Sequence, residues 1–182
     1  FDSRWPGRRM PDVPSRLVAQ TGPAGVRERQ AYGAHHQVPW GVSESGFYAF
    51  DHQFNYQYQA FGVPSLGLKR ELAGNVVIAP YATFLALHID PPAAWANLQA
   101  LARQGAAGNY GYFEAVDYTP ARRPRGEPAA RVRSYMAHHK GRSLVALGNY
   151  LFEGRMRRRL HAEAPFTATA LLLQARVPRH VP

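Results

Sequence analysis

The stretch "VPWGVSESGFYAFDHQFNYQYQAFGVPSLG", residues 38–67, sets how the rest of the chain is read. It places one glutamate, Glu44, and one aspartate, Asp51, among aromatics, amides and glycines, and no Lys or Arg occurs from Val38 to Leu68. Carboxylates on a solvated face usually have basic neighbours, so this stretch is built for something other than solubility. Tyr48, Phe50, His52, Phe54, Tyr56 and Tyr58 fall at every second position. That spacing puts them on one face of an extended segment and predicts one or two short strands, as a hairpin, rather than a helix. The glycines and Pro64 of "FGVPSLG" then turn the chain.

Working outward, helical patterns dominate. Residues 15–34 are weakly helical and interrupted by Gly22-Pro23. Pro80 suits a first helical position, and "YATFLALHI" is apolar enough to be buried. Asp90-Pro91 reads as an N-cap and first-turn proline, with Trp95, Leu98, Leu101 and Ala102 on one stripe and Gly105 closing the helix. "GAAGNYGYFEAVDYTP" breaks the period and ends in a short strand-like piece. "AARVRSYMAHH" and "RSLVALGNYLFEG" read as two helices jointed at Lys140-Gly141, and "PFTATALLLQARV" as a last amphipathic helix. The order predicts an all-α fold of helical hairpins, with short β-strands in the loops. Residues 1–14 read as a poorly packed terminus and 15–182 as one structural unit.

The 182 residues have the length of one domain, and 46% of them are hydrophobic, enough for a core. The chain opens at Phe1 and reads as a piece of a longer polypeptide. It has no cysteine, which excludes disulfides and thiolate metal sites. The longest apolar runs are too short to cross a bilayer, so no direct membrane insertion is expected. The formal charge of +10 raises nucleic-acid binding, but the basic residues cluster in loop-like segments such as "ARRPRGEPAARVR" without any base-reading geometry. A solvated, Arg-rich surface is the expectation, with no nucleic-acid partner.

Glu44 in "PWGVSES" and Glu114 in "YGYFEAVDYTP", with Asp117 close behind, lie in segments rich in Gly, Trp and Tyr. Glycosidic-bond chemistry asks for this combination: one carboxyl protonates the leaving oxygen, a second acts as nucleophile or activates water, and aromatic planes receive the sugar rings. The plainer alternative is that Glu44 caps a turn and Glu114 accepts backbone hydrogen bonds. Trp40, Tyr56, Gln57, Tyr58 and Tyr118 are the aromatic and amide residues near the carboxylates. His138 and His139 in "MAHHKG" are adjacent and, on a helix, point about a quarter-turn apart. One can meet a substrate hydroxyl while the other packs. A zinc site needs a third ligand at suitable spacing, and the sequence shows no HExxH and no cysteine, so no metal is expected.

"VPWGVSESGFYAFD", "FNYQYQAFGVPSLGLKREL", "NVVIAPYATFLAL", "NYGYFEAVDYTP", "VRSYMAHHKGRSLVAL" and "LLLQARVPR" resemble the glucoamylase-like domain of bacterial cyclic β-1,2-glucan synthases, from about Ser15 to Pro182. The resemblance implies the C-terminal half of an (α/α)6-barrel-like glycoside hydrolase domain. It also implies retaining transglycosylation on β-1,2-glucan with no cofactor. By matching position Glu44 and Glu114 become the catalytic pair, and Asp51, Asp117, His138 and His139 would line the sugar cleft. Implied partners are the glucan and the other domains of the synthase, on the cytoplasmic side of the inner membrane. The family's "HHQGM" reads here as His138-His139-Lys140-Gly141-Arg142.

Overall fold

Asp90 accepts a hydrogen bond from the Ala93 N–H at 3.2 Å and caps a helix that Pro91 opens, as the sequence predicts. The computed structural model of the chain describes residues 17–67, 72–163 and 165. The expected terminus at 1–14, the helix in "PFTATALLLQARV" and the outer ends of the family resemblance lie outside them. Among the described residues are five helices: α1 (Leu17–His35), α2 (Pro80–Ala86), α3 (Pro91–Arg103), α4 (Ala137–Leu151) and α5 (Arg155–Ala162). Seven short strands accompany them: β1 (Ser45–Phe50), β2 (Tyr56–Gln59), β3 (Val77–Ile78), β4 (Ala107–Gly108), β5 (Gly111–Tyr112), β6 (Ala115–Asp117) and β7 (Ala130–Val132).

The expectation of an all-α, barrel-like half domain is therefore corrected to a mixed α/β fold. The strands form three small antiparallel sheets, β1–β2, β3–β6–β7 and β4–β5. They are not loop decoration. Val77, Ile78, Val116 and Val132 of the central sheet are fully buried and join Val42, Val63 and Leu101 in the main core cluster. "AARVRSYMAHH" is not a helix from its start. Ala130 and Val132 are buried, with Arg131 half-buried between them and Arg133 exposed, a period of two that pairs with β6.

α2 is the hub. Nearly all its residues are buried, and it packs against both α3 and α4. Its neighbour α3 presents Ala94, Asn97, Leu98 and Leu101 inward, whereas Trp95 is 59% exposed and Ala102 is exposed too, so the predicted stripe holds only in its leucines. α4 runs unbroken through Gly141, and the joint falls later, at Gly154 in the left-handed region (φ 78°). α1 likewise passes through Pro23. Gly33 near its end lies where a Cβ would sit 2.8 Å from the Trp40 Cβ, so only glycine lets the chain fold back this closely.

The hairpin is present, but its alternating run is not one extended segment. β1 and β2 pair Gly46 with Tyr58 and Phe47 with Gln57, and the register shifts before Phe50 pairs with Tyr56. Asp51 bends the chain between them by accepting from the N–H groups of Gln53 (2.8 Å) and Asn55 (2.9 Å). Phe54, at φ 62°, completes the turn.

Candidate functional site

The site gathers where the start of β1, the approach to β6 and the first turn of α4 meet. Glu114 is only 2% exposed. Its Oε1 accepts from the Gly46 N–H at 3.1 Å and lies 2.8 Å from Nδ1 of His139. An ionised carboxylate can only accept, so wherever Glu114 is the charged partner it is His139 Nδ1 that donates. Both Glu114 Oε2 and His139 Nε2 are buried without a hydrogen-bond partner. Gly46 is what permits this contact: a Cβ there would stand 3.3 Å from Glu114 Cγ and 3.4 Å from Val132.

His139, 1% exposed, is held by stacking as well. The Tyr81 ring lies parallel to it (3.8 Å between centroids, 8°), and Tyr58 stacks more distantly at 6.1 Å. The Tyr81 hydroxyl in turn pairs with Ser43 Oγ at 2.7 Å. His138 is exposed, yet its ring centroid is 4.0 Å from that of His139. Burial, then the neighbouring His139 and Arg142, hold the His138 imidazole below its ordinary value. Tyr58, half exposed, has its phenol pushed up by burial and then by the Glu44 charge.

Glu44 projects beside the histidines and pairs with Arg142, Nη1 to Oε1 at 3.1 Å. One oxygen of Glu44 and one nitrogen each of His138 and His139 lie within 4.8 Å of one another. The two predicted carboxylates therefore converge on the same histidine from different elements. Lys140 turns away. Its ammonium donates to the Tyr112 carbonyl and sits over the Tyr135 ring, and burial lowers its pKa.

The other predicted residues are dispersed. Asp117 is fully buried and saturated: its oxygens accept from Tyr48 N–H (3.1 Å), Thr119 N–H (3.0 Å) and twice from Arg122 (2.6 and 3.1 Å). Asp51 serves the exposed hairpin turn, and its pKa is lowered chiefly by the Asn55 backbone hydrogen bond. Trp40 is buried, its backbone N–H donating to Asn97 Oδ1 at 3.0 Å. Tyr118 donates to Gln104 Oε1, and burial raises its pKa. Tyr56 packs on Phe50 (4.8 Å) and accepts from the Arg133 N–H, while Gln57 is exposed.

Sequence reasoning missed Tyr81 and Gly46. The only signal for Tyr81 is a phenol in a largely apolar buried run, and for Gly46 a small residue two positions after Glu44.

Residues 24–163 match the sequence model of the family Glycoamylase, described as "Putative glucoamylase". The chain is also similar to "Cyclic beta-(1,2)-glucan synthase NdvB" from Rhizobium meliloti (strain 1021). The identity is 46% over 182 residues, which is all of this chain and 6% of that protein. Among the described residues no helix is long and apolar enough to cross a membrane.

Proposed function

This chain belongs to the glycoamylase family, and from that premise we propose that it cleaves and re-joins β-1,2-glucan by retaining glycosidase chemistry, with Glu44 and Glu114 as its carboxylate pair. The observation that carries this reading is the convergence of both glutamates on His139. Retention needs one carboxyl group to protonate the leaving oxygen and a second to hold the sugar until an acceptor arrives. Water as acceptor gives hydrolysis, and a sugar hydroxyl gives transfer. Glu44 is reached from solvent and Glu114 is shielded, a difference in environment of the kind that separates two such roles. Tyr58, exposed beside the pair, offers an apolar plane to a sugar ring, and Glu44 with the exposed His138 offers hydrogen bonds to its hydroxyls. The chain works as part of a longer synthase polypeptide, whose other domains are its neighbours on the cytoplasmic side of the inner membrane.

Linear β-1,2-glucooligosaccharides incubated with the intact protein, with products followed by mass spectrometry, test this reading. Longer or cyclic products that disappear in Glu44→Gln and in Glu114→Gln support transfer by the pair. Shorter products alone mean a hydrolase. Near-wild-type turnover in both variants removes the glutamates from the mechanism. One observation favours a second reading, a non-catalytic glucan-binding or scaffold segment: Glu114 is 2% exposed, which keeps a bulky substrate from it. That reading expects glucan affinity from the folded protein with every oligosaccharide left intact.

A further inference from the structure

We propose that Glu44, His138 and His139 form a binding site for a divalent transition-metal ion of the zinc class, and that the bound ion silences the glucan chemistry of the same site. The first support is the donor set. Two imidazoles and a carboxylate within 4.8 Å of one another match the ligands of open, three-coordinate zinc sites, which keep a fourth position for water or another ligand. Donors around tetrahedral zinc stand about 3.3 Å apart, as bond lengths near 2 Å require. Exposed His138 and half-buried Glu44 have room to close that difference.

The second support is the setting of His139 itself. His139 is buried, its Nδ1 is occupied by Glu114, and its Nε2 is left without a partner. A carboxylate on one nitrogen of a histidine, leaving the other nitrogen for the ion, is the outer-sphere arrangement that orients metal-binding histidines. Tyr81 stacked on the ring fixes its plane. A buried ring nitrogen with no hydrogen bond is costly unless something fills it, and a metal ion does so. The sequence alone does not show this site, because its third ligand comes from a distant loop.

Arg142 opposes it. Its guanidinium rests on Glu44 Oε1 and a cation must compete with that charge. The site is thus one of moderate affinity, suited to sensing or inhibition rather than to permanent occupancy. Only the silencing half of the proposal rests on the role given to Glu44 above; the metal site does not.

The test is titration of the intact protein with Co2+, followed by its visible d–d absorption, and then displacement by Zn2+. One equivalent bound with moderate affinity is expected, weakened at least about tenfold in His138→Ala and Glu44→Gln, and about 10- to 100-fold in Glu114→Gln. Arg142→Gln is expected to tighten binding, a gain that misfolding cannot produce. His36→Ala controls for the adjacent surface pair His35–His36, whose ring centroids are 5.1 Å apart, and should change nothing. Absence of binding overturns the site, as does binding unchanged by His138→Ala and Glu44→Gln. If binding follows the expected pattern but stoichiometric Zn2+ leaves transfer untouched, the silencing half is overturned. A protein that binds the metal as expected but never turns over glucan refutes the proposed reaction and leaves the site standing.

Discussion

Glu114 and Asp117 sit three residues apart at the same strand, both buried, and the fold treats them in opposite ways. Asp117 receives four hydrogen bonds, two of them from the guanidinium of Arg122, which also binds Asn75 and Thr119. No acceptor of that carboxylate faces empty space. Glu114 has one oxygen doubly engaged and the other bare. A buried charge is tolerable where every lone pair has a donor, and costly where one does not. The first corner is therefore structural, tying β1 to β6 and to the loop that carries Arg122. The second is an unfinished network, and unfinished networks persist in folds where a ligand completes them.

The contrast breaks most directly at Asp117. Asp117→Asn removes the negative charge opposite a largely buried guanidinium and should lower the unfolding free energy by about 3 kcal/mol in urea titration. Glu114→Gln keeps the acceptor for Gly46 and should leave the urea midpoint nearly in place. Its turnover of β-1,2-glucan, measured by product formation, should fall about 100-fold or more. Were Glu114→Gln the more unfolding of the two, the division between a structural and a functional corner would be wrong. Gly46→Ala is subtler. The added methyl presses on Glu114 and Val132, with an expected cost of about 1 kcal/mol in thermal melts and a partial loss of turnover as Glu114 is displaced.

Asp51 sharpens the comparison from outside. It has three donors, from Gln53 and Asn55, yet it stands in solvent. Its folded pKa is lowered, so its contribution is complete above the ordinary carboxylate value of 3.8 and is lost as pH falls through the lowered value. Asp51→Asn should give the smallest change of the set, visible in melts at neutral pH and vanishing in acid. A loss as large as that of Asp117→Asn would mean that donor count, not burial, sets the effect.

What was legible in the sequence is what short-range chemistry decides. Pro80 and the Asp90-Pro91 pair start helices because a proline lacks only an N–H that a first turn never uses, and because aspartate caps. The end of α3 before Gly105 follows from the same local rules, whereas the alternating run across Asp51 hides the turn there. The all-α reading failed where partners far along the chain decide. The strand-like piece around Val116 is legible, but Val77 lies in an apolar run and Val132 in a basic segment that reads as helix, and only their pairing with β6 makes them strands. Trp95 reads as core by size and spacing, but the side of α3 that meets the core is the one carrying Asn97, which binds the Trp40 backbone on both sides. At the site, Glu44 and Glu114 stood out as carboxylates among aromatics. Their shared neighbour His139, its stacking on Tyr81 and the engagement of Asp117 by Arg122 depend on tertiary placement that no local pattern carries.

The parallel stack of Tyr81 on His139 has a magnetic consequence. A ring current circulating in the tyrosine shields nuclei lying above its face, and the His139 ring is centred 3.8 Å above it. The carbon-bound ring protons of this histidine should resonate upfield of those of the other seven in the chain. One displaced pair of signals thus reports from the middle of the site, and it moves whenever a sugar, a metal ion or a substitution shifts either ring.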